Sequence, residues 1–528
     1  MPTLNWIGKE KVINHHRDVP YRVLEHQYGF SDSQQTQSEL TASGNLIING
    51  DNLEALKALL PKYEGKVDCI YIDPPYNTGN EGWVYNDNVN DPKILKWLGD
   101  VVGKEGEDLS RHDKWLCMMY PRLKLLNKLL SNLGVIFVSI DDIEINYLKL
   151  ICDEIFGKNK YLSTLIWKSR QNKDNRNISR ISVDHEYILC YGNTLKGVER
   201  DKTQFSNPDN DLRGPWVSAN MVGLADIKAR PNLHYDLINE HTGVNYGCPK
   251  MGWRYERNTM NKLISEDRIL WPKLASGRPR KKQFLNEFKE DVTGFSSIIG
   301  NDIFTRDGTN VLKEIFNEKT FDFPKPIELL EELILQSSDE NSIILDSFAG
   351  SGTTAHAVLN LNKEDGGNRK FILVEMEDYA DTITAERVKR VIKGYGEGNN
   401  ATIGTGGSFD YFTLGQPLFV GNGQEFLNED IPESKMREYI WYSETRSTYL
   451  EIDNSADAQG FLGQHQNTAY YFVYQKNELT TLDLPYLASI KTKAEQYVIY
   501  ADNCLLSKDF MAKHNIIFKK IPRDISRF

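Results

Sequence analysis

Six cysteines are scattered through the 528 residues with no CxxC pair, which leaves neither a disulfide framework nor a zinc site to build on. No metal-ligand set is expected at all. No stretch approaches the roughly 18 consecutive apolar residues that a membrane-spanning helix needs. The opening "MPTLNWIGKEKVINHHRDVP" lacks the apolar core of a signal peptide, which predicts a cytoplasmic chain. Cys69, Cys117, Cys152 and Cys190 sit in apolar runs and are expected as buried free thiols. There is no Walker A lysine motif and no carboxylate–lysine nuclease signature, so DNA cleavage would need another subunit. Positive charge is also short. The net charge of −11 argues against coating nucleic acid everywhere, but it leaves room for a local basic groove.

What is present is a rhythm of strands and helices, broken once. "NLIIN" (Asn45 to Asn49) reads as a strand, and "NLEALKALL" after Gly50-Asp51 as an amphipathic helix. "VDCIYI" (Val67 to Ile72) reads as a buried strand. A polar loop over Asn77 to Ser110 is too long for a simple connection and suits a lid. His112 to Leu133 reads as helix with Gly134 as its stop signal, and Val135 to Ile140 as a buried strand. Alternation of this kind predicts a parallel α/β sheet. From about Ser169 to Thr320 the rhythm is lost, apart from "HEYILCYG". It resumes with a helix from Pro326, then "SIILDSFAGSGTTAHAVLNL" as strand, glycine loop and helix, then "KFILVEMEDY" as strand and acidic turn. The expected divisions are an irregular arm over 1–44, an α/β first half over 45–168, an insert over 169–320, a second half over 321–396 and a small α+β unit over 408–528.

Two stretches carry chemistry. Strand Val67 to Ile72 runs straight into Asp73-Pro74-Pro75-Tyr76. Proline cannot donate a backbone hydrogen bond and fixes φ, so the backbone leaves the sheet stiffly and thrusts a carboxylate, proline carbonyls and an aromatic ring past its edge. In "LDSFAGSGTTAHA", a strand ending in Asp346 meets Gly350 and Gly352, and a helix opens at Thr353. Glycines there let a nucleotide-like ligand approach the backbone at a helix N-terminus. The third glycine of the pyrophosphate fingerprint is absent, which suits a ligand without phosphates. Glu375 ends the next strand, where a carboxylate commonly accepts ribose hydroxyls.

Asp73-Pro74-Pro75-Tyr76 followed, after a long insert, by "FAGSGTT" resembles the motif pair of the circularly permuted β class of amino-group DNA methyltransferases. "NLIINGDNLEALKAL", "VIFVSIDD", "LKLICDEIFG", "DHEYIL", "GRPRKKQFLNE" and "FPKPIELLEELI" further resemble the Mod (modification) subunits of type III restriction–modification systems. The resemblance implies a Rossmann-like, mixed seven-stranded sheet with an inserted target-recognition domain. It implies methyl transfer from S-adenosylmethionine to N6 of an adenine flipped out of duplex DNA. Asp73, Pro74, Pro75 and Tyr76 would be catalytic, Asp73 and the Pro74 carbonyl each accepting an N–H of the amino group. Asp346, Phe348, Gly350, Gly352 and Thr353 would surround the donor's methionine portion, with Asp73 beside them. Glu375 would hold the ribose, Asp51 the adenine edge, and Lys325 the methionine carboxylate. A homodimer and a restriction (Res) helicase–nuclease partner are implied too.

For DNA, "KSRQNKDNRNISR" offers Lys168, Arg170 and Arg176, and "RILWPKLASGRPRKK" offers Arg278, Arg280, Lys281 and Lys282. Phosphate contact is the expected use of most of them, with steep salt dependence. Cytosine N4 is the competing target, yet enzymes of that kind usually present Ser where Asp73 stands. RNA or protein methylation, an orphan adenine methyltransferase without a restriction partner, and a catalytically silent DNA-binding subunit compete as well.

Overall fold

The structure is a computed structural model that describes residues 3–33, 35–77, 111–173, 180–396, 401–421, 424–451 and 457–528, with Lys96 and Gly398. The loop expected as a lid lies outside the described residues except for Asn77 and Lys96, and so does Arg176.

Eleven strands form the main sheet. In chain order they are β1 (Arg22–Ser31), β2 (Gln35–Gln37), β3 (Leu46–Asn49), β4 (Val67–Ile72), β5 (Leu130–Ile140), β6 (Tyr161–Trp167), β7 (Glu186–Gly192), β8 (Ile298–Ile299), β9 (Ile343–Asp346), β10 (Lys370–Glu375) and β11 (Ser408–Pro417). Their spatial order is β8-β6-β7-β5-β4-β9-β10-β3-β11-β1-β2. The seven strands from β6 to β3 are the expected mixed sheet: β5, β4, β9, β10 and β3 are parallel, and β7 runs antiparallel between β5 and β6. Central strands are covered on both faces, which is why they read as nearly unbroken apolar runs.

Four further strands extend that sheet. β8 adds to one edge, and β11, β1 and β2 add to the other. Residues 1–44 therefore include a ten-residue strand, not only an irregular arm. β1 escapes a periodicity reading because few of its residues are buried, and those that are do not alternate cleanly. Residues 408–528 fall in the same compact unit as the sheet, because β11 pairs with β3 (Asp410 opposite Leu46). The C-terminal segment also has a four-stranded sheet of its own, over Phe461–His465, Thr468–Phe472, Gln496–Ala501 and Ile516–Lys520.

One boundary differs from expectation for a clear steric reason. The helix after the long loop is α2 (Arg111–Leu129), and the chain is already in β5 at Gly134. A Cβ at Gly134 would stand 2.9 Å from the Val67 carbonyl oxygen, so this glycine permits two strands to approach and does not stop a helix. Helix α1 (Asn52–Tyr63) precedes β4, and α3 (Ile327–Ser337) precedes β9. Helix α4 (Thr353–Asp365) joins β9 to β10, and α5 (Glu386–Lys393) follows β10. The four cysteines in apolar runs are buried free thiols. Among the described residues no helix is long and apolar enough to cross a membrane.

A second compact unit comprises Lys196–Phe295. It is narrower than the insert expected over 169–320, because "EYILCYG" is β7, an interior strand of the main sheet. Its largest sheet has three antiparallel strands, with Arg280–Phe284 between Ile269–Leu270 and Trp216–Ala219. Met221, Leu237, Trp253, Met260, Leu263 and Ile269 make a small core of its own.

Candidate active site

β4 and β9 are parallel neighbours, with Ile70 opposite Leu345, so Asp73 and the loop after Asp346 leave the sheet at the same edge. From β4 the chain proceeds outward to β5, and from β9 it proceeds the other way to β10. A crevice at the carboxyl ends of strands where the winding reverses is the usual ligand site of an open α/β sheet.

The Asp73 turn is pinned from beneath. The Trp115 indole donates to the Pro75 carbonyl (2.7 Å). Asn77 adopts φ +61° and donates to Glu144 Oε1 (2.5 Å), and His112 Nδ1 lies 2.6 Å from the same oxygen. Above, the Lys325 ammonium is 2.8 Å from Asp73 Oδ2 and 3.4 Å from Glu186 Oε2. It donates to the Tyr76 hydroxyl (2.8 Å), which donates onward to Glu186 Oε2 (2.9 Å). Asp73 Oδ1 is buried and has no hydrogen-bond partner, while the side chain as a whole keeps 26% of its surface open. An acceptor stripped of water and left empty is costly unless something occupies it. Burial holds the Asp73 carboxyl above its ordinary value, with Lys325 offsetting only part of that rise. Burial alone would lower the Lys325 ammonium, yet Asp73 and Glu186 hold it above the usual lysine range.

The glycine loop is built just as tightly. Asp346 accepts from the Phe348 N–H (3.0 Å) and the Thr354 hydroxyl (2.5 Å). Gly350 and Gly352 have φ of +52° and +80°, a region that strains any side-chain-bearing residue. A Cβ on Gly352 would meet the Thr384 carbonyl oxygen at 3.1 Å. The Gly350 N–H donates to Glu375 Oε2 (2.7 Å), and the Glu377 N–H to Oε1 (3.1 Å). Arg387, fully buried, donates to Thr353 Oγ1 (2.7 Å) and Ser351 Oγ (2.9 Å). Burial pushes Asp346 and Glu375 each up to about 7, with Asp73 adding to the rise at Asp346. Three carboxylates thus crowd one strand edge. Such a donor set fits a positively charged ligand, and Glu375 keeps lone pairs for hydroxyls beyond the two backbone donors.

The remaining expected residues divide. Asp51 caps α1 through Oδ1, which accepts from Leu53 and Glu54 N–H, and its Oδ2 pairs with buried Arg122 (3.2 Å). Lys325 sits on Asp73, Tyr76 and Glu186, where a role at a ligand carboxylate was expected. Lys168 and Arg170 are exposed. In the second unit Arg278 and Arg280 are exposed and Lys281 is half-buried over the Tyr255 ring. Lys282 is a correction: it is buried and paired with Asp209 (2.6 Å), Asp211 (3.4 Å) and Asp267 (3.5 Å). Strand alternation puts it on the opposite face from Lys281. Sequence reading missed Glu186, Glu144, Trp115, Arg122 and Arg387 as supports of the site. Only Glu186 carried a signal, its place inside "DHEYIL".

The sequence profile of the DNA methylases matches residues 67–386, a stretch that contains both strand ends and the second unit between them. The chain belongs to the DNA methylase family. The type III restriction-modification enzyme StyLTI Mod subunit of Salmonella typhimurium is 34% identical over 400 residues, 70% of this chain and 60% of the relative. The EcoP15I Mod subunit of Escherichia coli is 33% identical over 427 residues, 71% of this chain and 64% of the relative. The type II methyltransferase M.KpnI of Klebsiella pneumoniae is 33% identical over 365 residues, 65% of this chain and 83% of the relative. The chain spans 60% and 64% of the length of the two Mod relatives.

For this DNA methylase the buried Asp346 has a measurable consequence. A carboxyl whose folded pKa rises from 3.8 to about 7 contributes stability that is complete below about pH 4 and lost as pH climbs through about 7. Asp346→Asn can keep both hydrogen bonds, since the amide oxygen accepts from Phe348 and the Thr354 hydroxyl can turn to accept from the amide nitrogen. The ligand-free variant is therefore expected to be more stable than the native chain at pH 8, by on the order of 1–4 kcal/mol, with the advantage shrinking steadily as pH falls to about 4. Thermal unfolding at both pH values checks this; no difference at pH 8 would sink it.

Proposed function

We propose that this chain transfers a methyl group from S-adenosylmethionine to N6 of an adenine everted from duplex DNA, as the modification subunit of a type III restriction–modification system. The observation that carries the reading is the empty, buried Asp73 Oδ1 at the edge where the neighbouring strand opens into the glycine loop. S-adenosylmethionine, when bound, supplies a methyl carbon already activated by a sulfonium charge. The chain's own residues do the positioning.

The exocyclic nitrogen of adenine is a poor nucleophile because its lone pair is delocalised into the ring. Asp73 Oδ1 is poised to accept one N–H of that nitrogen, and the Pro74 carbonyl the other. Accepting both favours a pyramidal nitrogen and aims its lone pair, so most of the rate comes from orientation. The Pro75 carbonyl is already taken by Trp115, which keeps the turn rigid while the acceptors work. The Tyr76 ring, braced through its hydroxyl, offers a stacking face to a flipped base. Asp346 and Glu375 supply the negative charge and hydroxyl acceptors that suit the donor. The second unit, with Arg278 and Arg280 exposed and Lys281 half-buried beside them, is proposed to read the target. The C-terminal segment is proposed to make dimer or Res contacts, by similarity to the Mod relatives.

Incubation with tritiated S-adenosylmethionine and adenine-unmethylated bacterial genomic DNA tests the proposal. Label recovered as N6-methyladenine is expected, confined to one sequence context when the methylated DNA is sequenced. Label in N4-methylcytosine would reassign the target base, and no label would leave a binding role alone.

A further inference from the structure

We propose that Lys325 and Glu186 are positioning residues for the transfer step: the Lys325 ammonium, seated on Glu186, keeps the Asp73 carboxylate ionised and turned so that Oδ1 faces the incoming amino group. The inference rests on the methyltransferase reading above and deepens it.

The geometry is specific. An ammonium has three protons, and Lys325 faces three acceptors at hydrogen-bonding or ion-pair distance: Asp73 Oδ2 (2.8 Å), the Tyr76 hydroxyl (2.8 Å) and Glu186 Oε2 (3.4 Å). Its side chain is only 11% exposed, so these contacts are shielded from salt and water. A surface lysine beside a helix start would show neither feature. One carboxylate would be enough to neutralise Lys325. The second, Glu186 at the head of β7, frees Asp73 from being its sole partner and also anchors the Tyr76 hydroxyl (2.9 Å). Asp73 is thereby held through one oxygen, and the other stays open.

The charge environment supplies the reason. The ionisable groups around Asp73 are Lys325 from the segment before α3, Glu186 from β7, Tyr71 and Tyr76 on its own strand and turn, and Asp346 from β9. Lys325 is the one cation among these described residues. Without it, burial and the flanking carboxylates would favour a protonated Asp73, and a protonated carboxyl donates where an acceptor is needed.

The test is the pH dependence of single-turnover methyl transfer to adenine-unmethylated genomic DNA, for the native chain, Lys325→Met, Lys325→Arg and Glu186→Gln. Lys325→Met is expected to move the acid limb up by about one to three pH units, with rate regained towards pH 9. Lys325→Arg keeps the limb near its native place. Glu186→Gln moves it down, because a negative charge beside Asp73 is removed while an acceptor for Tyr76 remains. Opposite signs distinguish positioning from general damage, which would lower the rate equally at every pH. Should Lys325→Met not fold, the downward movement in Glu186→Gln carries the test. Limbs that stay in place in both variants, with the native chain active, overturn the positioning role and leave the methyltransferase reading intact. A native chain that labels no DNA overturns both.

Discussion

Asp73→Ala is expected to lower methyl transfer by at least about 10³-fold while cofactor and duplex binding survive. A single positioned hydrogen-bonding group in a desolvated site is worth about 10² to 10³ in rate, and Asp73 combines that with an acceptor oxygen left open at the strand edge. The variant should fold. Lys325 loses one partner but retains Glu186 at 3.4 Å and the Tyr76 hydroxyl at 2.8 Å, so no bare ammonium is left in the interior. The turn keeps its Trp115 and Glu144 anchors, which do not involve the Asp73 side chain. Single-turnover transfer of tritium, with calorimetric titration of S-adenosylmethionine alongside, separates chemistry from binding. Native turnover in the variant would remove Asp73 from the mechanism. Loss of cofactor binding in step with turnover would move it to a purely structural place.

Reversing Arg278, Arg280 and Lys281 to Glu together is expected to weaken duplex affinity by about 10²-fold or more near 0.1 M salt. The salt slope should flatten by up to about three, one for each phosphate no longer neutralised. Cofactor affinity should not change. Fluorescence anisotropy across a salt series reads both quantities, and equal affinity in the two proteins would reduce the patch to a solvated surface. Lys282 makes the contrast. Three aspartates face its ammonium, but Asp267 and Asp209 are open to water and Asp211 keeps Arg213 at 2.7 Å, so Lys282→Met is expected to cost stability on the order of 1–3 kcal/mol. Its phenotype should be a lower melting temperature, with the salt slope of the surviving folded protein unaltered. Adjacent residues of one basic run would then fail in two different ways.

That contrast shows where sequence reading stops. "GRPRKK" is uniformly basic on paper, and all four cations look equivalent. In a strand, successive side chains point to opposite faces, so half of a charged run can be consumed inside the fold. The same limit explains Lys325. Its position before a helix was legible, but its partners were not, because Tyr76 lies 249 positions away. Gly134 marks a break in periodicity, and the choice between a helix stop and a close strand crossing depends on Val67 in a neighbouring strand. β1 was hidden for a related reason: a strand with few buried residues has no strong apolar period. "FDYFTLGQPLFV" reads as a strand of the C-terminal unit, but its place in the main sheet is decided by its pairing with β3.

Local chemistry was enough to locate a stiff acidic turn after β4, a glycine bend after β9 and a carboxylate closing β10. Proline rigidity, glycine freedom and apolar runs act over a handful of neighbouring residues, and so they are written in the order of the letters. The convergence of those ends on one edge of the sheet, the seat of Lys325 between two carboxylates, and the withdrawal of Lys282 from the surface arise from pairings far apart in the chain or from which face of a strand meets the core. Such long-range contacts come into being when the sheet assembles, and no stretch of chain carries them alone.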